Sequence, residues 1–579
     1  MRNGRNSTGG RSSEAGQVSD VEFATGADLF VRSILRLGIR QVFTLVGDHL
    51  NEVLYLMRRE GIGILDMRHE SAVTHAADAW ARIHRRPALA LVTGGPGHTN
   101  SLTGLATACL AGSPLIAVSG SRPSTLVGRQ AFQDIDQVGM ARPVVKFAAE
   151  PLDASQIPSC LARAFSEANS GRRGGVHLSI PSDLFKQRVP APAELPAPAE
   201  TPHPLPDSRE LHRALALLQA AERPVVIAGS GVWWSAAENE LREFIEAVAA
   251  PLYTITMARG AISDEHPLCM GYADPALNRA AWKAFQEADF FLVIGKRLDY
   301  RLSFGSPRLF PAHARVVQID IHRPELGMNR TLDVAICADA KAALRALLEA
   351  LDHTRPSAAP WLQRVTALRA EWEEQIECYA RDNSQPIHPA ALYRALRGAL
   401  PSDVLYAWDG GDFAHWGRAM LGARAPGRWL RLGPLGTIGA SLPNGLALQL
   451  AHPGRPVAVI TGDGALGFYI AEMDTAVRHR LPIVVIVGND AGWGLERELQ
   501  REMSGCNETV ACELRPTRYD IVMKGFGGDG EKIDSLEQLR PALDRAFAAG
   551  VPYCLNVNIR GARSPFTEWQ ILGKKQAIK

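Results

Sequence analysis

Residues 456–464 read PVAVITGDG, and residues 482–493 read PIVVIVGNDAGW. Each stretch is a short apolar run that ends in a glycine-rich turn, and a helical pattern at residues 471–478 separates the two. This alternation predicts neighbouring parallel strands joined by a crossover helix, so both turns lie at the edge of the sheet where α/β proteins bind ligands. Asp463 and Asp490 can meet there as ligands of Mg²⁺, and the glycines let backbone N–H groups approach a diphosphate bridged by that ion.

The alternation of strand-like runs and helical patterns continues over most of the chain. It predicts an α/β protein with three doubly wound parallel-sheet domains, of which the first and third look like the same kind of unit. Strand-like runs lie, for example, at residues 41–46, 88–92 and 224–228, and a helical pattern lies at 72–83. The predicted boundaries are a disordered tail at 1–20, a first domain at 21–188, a linker rich in proline and alanine at 189–206, a central domain at 207–352, a charged linker with a helical pattern at 353–388, a third domain at 389–560, and a C-terminal lid or tail at 561–579.

The composition excludes several classes of protein. Hydrophobic residues make up 46% of the 579 residues and charged residues 21%, which is typical of a globular protein with full cores. The net charge of +2 indicates no nucleic-acid partner, and the apolar runs are far shorter than the roughly 20 residues that cross a bilayer. No secretory signal begins the chain, and no two of the eight cysteines are spaced as C-x-x-C. We therefore expect a cytoplasmic enzyme with scattered buried thiols and no membrane contact.

At their observed spacing, the two glycine-rich turns resemble those of the thiamine-diphosphate (ThDP) enzymes of the acetolactate synthase-like superfamily. In that family, the aspartate of the first turn, the second residue of an Asn-Asn pair and a backbone carbonyl two residues later hold Mg²⁺. The resemblance assigns these positions to Asp463, Asp490 and Gly492, with Asp490 standing where most members carry asparagine. The cofactor-binding residues that it implies around this ion are Gly462, Asp463, Gly464, Ala465, Asp490, Gly492, Trp493 and Gly494.

The first domain carries the other half of the family pattern, as RHE at 68–70, GGPGHTN at 94–100 and AFQD at 131–134. The resemblance implies that Glu70 hydrogen-bonds N1′ of the cofactor's aminopyrimidine, which favours the imino tautomer that deprotonates C2 of the thiazolium. Taken alone, Glu70 would be better interpreted as a carboxylate at a helix N-terminus, and the turn at 462–464 reverses that preference.

Other residues of the first domain are implied by the same motifs. Gly95, Pro96 and Asn100 would contact the cofactor. His49 and Gln133 are weaker candidates for orienting the substrate hydroxyl or its oxyanion. In such enzymes, the pyrimidine-binding domain of one subunit faces the diphosphate-binding domain of another. The resemblance therefore implies a homodimer or homotetramer with active sites at the subunit interface.

Two further motifs complete the expected cofactor site, DGGDF at 409–413 and GPLGTIG at 433–439. The family places diphosphate contacts at the first, which implies Gly411, Asp412 and Phe413. At the second, Gly436 would offer its carbonyl to the 4′-amino group, and Ile438 would be the apolar wedge that bends the cofactor toward C2. Without the surrounding pattern, Ile438 would be a plain core residue.

Other segments indicate the reaction. VGDH at 46–49 replaces the Gly-Gly pair of acetolactate synthases, and HWGR at 415–418 and ELRPTRY at 513–519 resemble 2-hydroxyacyl-CoA lyases and their oxalyl-CoA decarboxylase relatives. The resemblance implies a ThDP- and Mg²⁺-dependent C–C lyase that cleaves a CoA-thioester substrate, a 2-hydroxyacyl-CoA such as 2-hydroxyisobutyryl-CoA, to formyl-CoA and an aldehyde or ketone. Two alternatives stay open: an acetolactate synthase or other 2-oxoacid carboligase, and a non-catalytic paralogue.

Three assignments have competing interpretations. Glu496 is either a catalytic group that exchanges a proton with the substrate hydroxyl or part of a charged helix face. The C-terminal segment, with Lys574 and Lys575, is either a lid that meets CoA phosphates or a frayed basic tail. In the central domain, RLDYRLSFG at 297–305 leaves binding of FAD or ADP open, without a catalytic role, and GSGVWW at 229–234 is interpreted as the turn of a degenerate dinucleotide-binding domain.

Overall fold

A computed structural model of the chain describes residues 23–199, 201–351 and 359–577, and the predicted tail at 1–20 lies outside the described residues. The predicted fold class is confirmed, because the chain forms three α/β domains that are each built on a six-stranded parallel sheet. Within the described residues, no helix is both long and apolar enough to span a bilayer.

The N-terminal domain has the strand order β3-β2-β4-β5-β7-β6, with helices on both faces of the sheet. Its central strands read as apolar runs because both faces are covered, and β4 and β5 are buried throughout. A short antiparallel pair of β1 and β8 closes the domain. The elements are β1 Phe23–Thr25, α1 Gly26–Arg36, β2 Gln41–Thr44, α2 Asn51–Arg59, β3 Gly63–Asp66, α3 Glu70–His84, β4 Ala88–Val92, α4 Pro96–Ala111, β5 Leu115–Ser121, α5 Gln137–Ala141, β6 Phe147–Ala149, α6 Ile157–Asn169, β7 Gly175–Pro181, α7 Ser182–Lys186 and β8 Arg188–Pro190.

The central domain has the strand order β11-β10-β9-β12-β13-β14, the order of a dinucleotide-binding fold. Gly231 lies against Gly295 so closely that a Cβ at position 231 would stand 2.5 Å from the Gly295 Cα. The segment 229–234 contains a short helix after a turn at Gly229. The elements are α8 Ser208–Ala220, β9 Pro224–Ala228, α9 Ser230–Trp234, α10 Glu238–Val248, β10 Leu252–Thr254, β11 Cys269–Tyr272, α11 Arg279–Glu287, β12 Phe290–Ile294, β13 Arg315–Asp320, β14 Val334–Cys337, α12 Ala340–Glu349 and the connecting helix α13 Ala359–Ala380.

The C-terminal domain has the strand order β16-β15-β17-β18-β20-β19. Strand β18 begins two residues later than the predicted run at 482–487, since Pro482 has no N–H to donate to a neighbouring strand. The elements are α14 Pro389–Ala399, β15 Leu405–Trp408, α15 Gly411–Met420, β16 Trp429–Arg431, α16 Ser441–Ala451, β17 Val457–Gly462, α17 Asp463–Leu466, α18 Glu472–Arg478, β18 Val484–Asn489, α19 Gly494–Ser504, α20 Tyr519–Gly525, β19 Asp529–Ile533, α21 Leu536–Ala548, β20 Tyr553–Asn558 and α22 Pro565–Ala577.

The N-terminal and C-terminal domains of one chain share a hydrophobic core cluster. Ala72 and Ala76 of α3 belong to it together with Leu442 and Leu446 of α16, and all four side chains are buried. The small residues of α3 let the two helices approach closely. This contact places the start of α3, where Glu70 lies, against the C-terminal domain.

The eight cysteines are all free thiols. The prediction of buried thiols is wrong for Cys378 and Cys506, which are exposed, whereas Cys269, Cys512 and Cys554 are buried. Cys506 follows α19 in a surface loop and Cys378 lies on an exposed face of α13, so neither position requires a packed side chain.

Candidate active site

The two carboxylates of the expected metal site lie side by side. Strands β17 and β18 pair in parallel with Gly462 opposite Gly488, so Asp463 and Asp490 leave the sheet at the same edge. Asp463 is 2% exposed, and its carboxylate accepts the N–H of Gly492 at 3.0 Å. Burial and repulsion by Asp490 raise the pKa of Asp463 above the usual range, and burial also raises the pKa of Asp490. Two buried carboxylates side by side, one of which opposes the ionisation of the other, form a donor set suited to a divalent cation.

Arg497 balances the carboxylate at the position where most family members carry asparagine. The guanidinium of Arg497 forms an ion pair with Asp490, and its second terminal nitrogen lies 3.3 Å from Glu513. Both Arg497 and Asp490 are largely buried, so the pair exchanges little with solvent. The sequence alone does not indicate this role of Arg497, because the contact depends on the turn at 488–493 that the side chain folds back onto.

A pocket opens beside Asp463, and its walls are largely glycine backbone. A Cβ at Gly488 would stand 2.3 Å from the Phe413 ring, and one at Gly464 would stand 2.8 Å from the Trp493 ring. The glycines therefore let these two rings close in on the turns. The expected cofactor residues that line the pocket are Gly411, Asp412, Phe413, Ile438, Gly462, Asp463, Gly464, Ala465, Asp490, Gly492, Trp493 and Gly494.

Asp409 holds three of the turns around this pocket together. Its buried carboxylate accepts N–H groups from Gly410 at 2.8 Å and Gly439 at 2.9 Å, and the hydroxyl of Ser441 at 2.5 Å. The hydroxyl of Thr461 also donates to it at 3.3 Å. Asp409 was not among the predicted site residues, although it opens the DGGDF motif. Gly436 lies in the turn that Gly439 closes and does not line the pocket in the described chain.

Glu70 is the first residue of α3, and residues before and after it in the sequence contact the C-terminal domain. Its carboxylate accepts the Asn100 amide at 3.0 Å. The N–H of Arg68 donates to Glu472 at 3.1 Å, and the hydroxyls of Ser71 and Tyr469 lie 2.7 Å apart. Glu472 is fully buried, and burial raises its pKa to about 7. Residues of the segment 469–472 thus bind the backbone before Glu70 and the side chain of the residue after it.

The remaining N-terminal residues gather around the turn at 94–97. Gly95 has a φ of +59°, and its missing side chain leaves room for Gln133, whose Cγ would stand 2.8 Å from a Cβ there. His49 is buried and lies 2.8 Å from the Thr93 hydroxyl through Nδ1. Pro96 begins α4, and a Cβ at Gly97 would stand 3.6 Å from Oε1 of Glu70. Gln133, His49 and Glu70 therefore surround one turn.

Gln137 anchors the same turn, although it is not among the site residues predicted from the sequence. Its side-chain oxygen accepts the N–H of Gly95 at 3.2 Å, and its amide nitrogen donates to the Gly120 carbonyl and the Ser179 hydroxyl, each at 3.1 Å. Gln137 is 2% exposed. Its position four residues after Gln133 does not indicate this role, because the contacts of Gln137 are with Gly120 of β5 and Ser179 of β7.

Glu496 lines the pocket from the first turn of α19. Its side chain is exposed, and it makes no hydrogen bond or ion pair among the described residues, whereas Arg497 pairs with Asp490 and Glu498 with Arg501. Its two charged neighbours are thus committed to partners, and Glu496 is left facing the pocket.

The pocket lining in the described chain comes from the C-terminal domain, and Glu70, His49 and Gln133 are not part of it. Among the described residues, this pocket therefore contains the carboxylate pair of the C-terminal domain without Glu70 of the N-terminal domain.

The C-terminal segment lies at the edge of this pocket. Residues 559–562 form part of its wall, and α22 packs on α15 and α19. The indole N–H of Trp416 donates to the Ala562 carbonyl at 3.2 Å. The side chains of Lys574 and Lys575 are outside the described part of the chain.

A second cleft opens at the carboxyl ends of the central strands. Ser230, Gly295 and Asp320 contribute to it, at the ends of β9, β12 and β13. Its lining includes the cations Arg172, Arg173, Lys296, Arg297 and Arg301. Among these cations, Lys296 forms an ion pair with Asp299, Arg301 with Asp274 and Arg172 with Glu325, and the strand order is that of a dinucleotide-binding fold.

Comparison with known proteins agrees with this geometry. Family models of the thiamine pyrophosphate enzymes match the N-terminal TPP binding domain over residues 24–140, the central domain over 211–347 and the C-terminal TPP binding domain over 409–557. The chain therefore belongs to the thiamine pyrophosphate enzymes, and within them it is an acetolactate synthase-like protein related to 2-hydroxyacyl-CoA lyases.

Individual relatives include both kinds of enzyme. The chain is 36% identical over 533 residues to an acetolactate synthase large subunit of Mycobacterium tuberculosis, which covers 91% of the chain and 94% of that protein. It is 31% identical over 612 residues to 2-hydroxyacyl-CoA lyase 2 of Caenorhabditis elegans, with 96% and 93% covered. The human 2-hydroxyacyl-CoA lyase 2 is 29% identical over 588 residues, with 93% and 91% covered.

Proposed function

We propose that the chain is a ThDP- and Mg²⁺-dependent lyase that cleaves the C1–C2 bond of a 2-hydroxyacyl-CoA, giving formyl-CoA and an aldehyde or ketone. The observation that carries the proposal is the exposed carboxylate of Glu496 at the pocket, which has no hydrogen bond or ion pair within the described part of the chain. A 2-oxoacid would bring its own carboxylate toward this group and be repelled, whereas the carbonyl of a thioester is neutral.

Each residue of the candidate site would have a distinct role in the proposed reaction. Asp463 and Asp490, with the carbonyl of Gly492, would hold Mg²⁺ and through it the diphosphate. When bound, thiamine diphosphate supplies a nucleophilic carbon at C2 of its thiazolium ring. Glu70 would hold the proton at N1′ of the aminopyrimidine, and Ile438 would support the bent shape of the cofactor.

Glu496 would take the proton of the substrate hydroxyl as the C1–C2 bond breaks, so that C2 leaves as a carbonyl carbon. Return of a proton to C1 balances the reaction and releases formyl-CoA. His49 and Gln133 would orient the hydroxyl or the thioester oxygen. These two residues and Glu70 would come from the partner subunit of a homodimer or homotetramer, which is supported by a pocket lining that comes from the C-terminal domain alone.

The decisive experiment supplies the full chain with ThDP and Mg²⁺ and compares 2-hydroxyacyl-CoAs of different chain length with pyruvate. We expect formyl-CoA and the carbonyl product in equal amounts. Glu496→Gln should bind ThDP normally and lose about 10²- to 10³-fold in turnover. Full turnover by this variant would refute the role given to Glu496.

Acetolactate synthase is a second candidate, favoured by the 36% identity to the mycobacterial protein. Acetolactate formed from pyruvate, with no cleavage of any acyl-CoA, would establish it instead. The cleft of the central domain is proposed to bind FAD or ADP without a part in the chemistry. A flavin spectrum of the purified protein would distinguish the two nucleotides.

A further inference from the structure

We infer that Asp412 is a positioning residue that fastens the C-terminal helix α22 to α15 at the edge of the pocket. The side chain of Asp412 is 8% exposed and follows Gly411 at the start of α15. Its Oδ1 accepts three hydrogen bonds from the C-terminal segment: the N–H of Ser564 at 3.1 Å, the hydroxyl of Ser564 at 2.5 Å and the hydroxyl of Thr567 at 2.5 Å. The effect of this attachment on the substrate rests on the proposed function, whereas the attachment itself does not.

The charge of Asp412 argues against direct contact with a diphosphate. A carboxylate would repel the phosphate oxygens unless a cation or a proton stood between them. Burial, with Glu498 nearby, raises the pKa of Asp412 to about 6, while the donors from Ser564 and Thr567 favour the charged form. Three donors on one oxygen, two of them hydroxyls at 2.5 Å, identify the C-terminal segment as its partner in the chain.

Neighbouring contacts hold the same segment onto α15 and α19. The ring of Phe566 packs on His415, with ring centroids 4.0 Å apart. Arg563 lies 2.8 Å from Glu498 and 3.1 Å from Glu502. These contacts surround the bonds to Asp412, which lies at the centre of the attachment.

The fastening is linked to the pocket wall over a short length of chain. Gly561 lies against the turn that contains Asp490, because a Cβ at position 561 would stand 3.1 Å from Oδ2 of Asp490. Ala562 also lines the pocket, and Ser564 follows two residues later. Loosening Ser564 from Asp412 would therefore move the wall beside the substrate, with the cofactor-binding turns left in place.

The test compares Asp412→Ala and Asp412→Asn with the wild type, using hydrogen exchange of residues 562–573, ThDP affinity and steady-state kinetics. We expect Asp412→Ala to exchange about 10- to 100-fold faster in this segment, and Asp412→Asn to recover part of the protection through its remaining acceptor oxygen. The KM for the acyl-CoA should rise more than kcat falls, and ThDP affinity should stay within about twofold. Asp544→Ala, at an exposed pair with Arg540, is the matched control.

Two outcomes would overturn the inference. One is unchanged exchange at 562–573 in Asp412→Ala. The other is a large change in ThDP affinity with unchanged exchange, which would make Asp412 a cofactor contact. If Asp412→Ala does not fold, the double variant Ser564→Ala/Thr567→Val removes the same bonds from the other side and must reproduce the faster exchange. Failure of the wild type to cleave any acyl-CoA would contradict the proposed function and leave the exchange result standing.

Discussion

The N-terminal and C-terminal domains have the same strand order, β3-β2-β4-β5-β7-β6 against β16-β15-β17-β18-β20-β19, yet their turns carry opposite chemistry. Strand β4 ends in a Gly-Gly-Pro turn beside Glu70, and its counterpart β17 ends in the turn of Asp463. In the proposed function, one domain would offer an acid for a ring nitrogen, and the other would offer paired carboxylates for an ion. The shared topology decides where a ligand can lie, and a few turn residues decide which part of the ligand is bound.

The two centres also differ in how their charges are held. Glu70 is fixed through its two neighbours in the chain, because Glu472 of the other domain accepts the N–H of Arg68 and Tyr469 contacts the hydroxyl of Ser71. Asp490 is fixed within its own domain, by Arg497. The first arrangement positions a group without changing its charge, and the second compensates a charge. Four substitutions test this contrast.

Asp463→Ala should have the largest effect, because it removes one of the two carboxylates expected to hold the ion. We expect loss of Mg²⁺-dependent ThDP binding and a fall in activity of about 10³-fold or more. The protein without cofactor should be at least as stable as the wild type, since the repulsion between Asp463 and Asp490 is relieved. Isothermal titration with ThDP and Mg²⁺ and urea unfolding measure both effects. Unchanged ThDP affinity would contradict the proposed metal site at Asp463 and Asp490.

Glu70→Gln should separate the two domains' roles. Activity should fall about 10²- to 10⁴-fold, since the amide cannot serve as the acid at N1′, while ThDP and Mg²⁺ remain bound. Turnover and ThDP affinity are measured on the same preparation. A loss of binding as large as that of Asp463→Ala would show that the division of roles between the two domains is wrong.

Arg497→Gln should leave Asp490 as an uncompensated buried charge. The free energy of unfolding without metal should fall by about 3 kcal/mol, and Mg²⁺ with ThDP should restore much of it. The double variant Asp490→Asn/Arg497→Gln carries the asparagine of the common family pattern and should recover stability without metal. Urea unfolding in EDTA and in Mg²⁺ checks the cycle. Equal losses in the single and the double variants would argue against charge compensation.

Glu472 should make the stability of the chain depend on pH. Its folded pKa of about 7 lies above its ordinary value of 4.5, so the folded protein binds more protons between these values. The contribution is present at low pH and is lost as the pH rises through 7, by at most about 3 kcal/mol. Glu472→Gln should flatten this dependence in denaturation measured from pH 5 to 8. An unchanged slope would show that the carboxyl does not titrate in this range.

The sequence predicted best what depends on local pattern. The predicted strands at 88–92 and 224–228 agree with the structure, because runs of apolar residues that are buried on both faces leave little choice of structure. The turns at Asp463 and Asp490 were equally visible, as each follows such a strand. The predicted placement of these two carboxylates together agrees with the register of β17 and β18.

What the sequence did not indicate depends on contacts between distant segments. Asp409, Gln137 and Glu472 act through backbone groups that only the fold brings near them. The choice between a lid and a frayed tail at 561–579 could not be made either, because the bonds from Ser564 and Thr567 end on Asp412, far back in the chain. Such residues can be found only once the topology is known.

The segment from Asp463 to Glu472 has a consequence for a dimer. Its first residue would hold the ion of one active centre, and its last residue holds the backbone beside Glu70, which would serve the neighbouring centre. This segment would then connect two catalytic centres that share no substrate, so that a shift at one end would be transmitted to the other. Loading one centre with coenzyme would alter the affinity of the other, and the binding isotherm of the dimer would depart from that of independent sites.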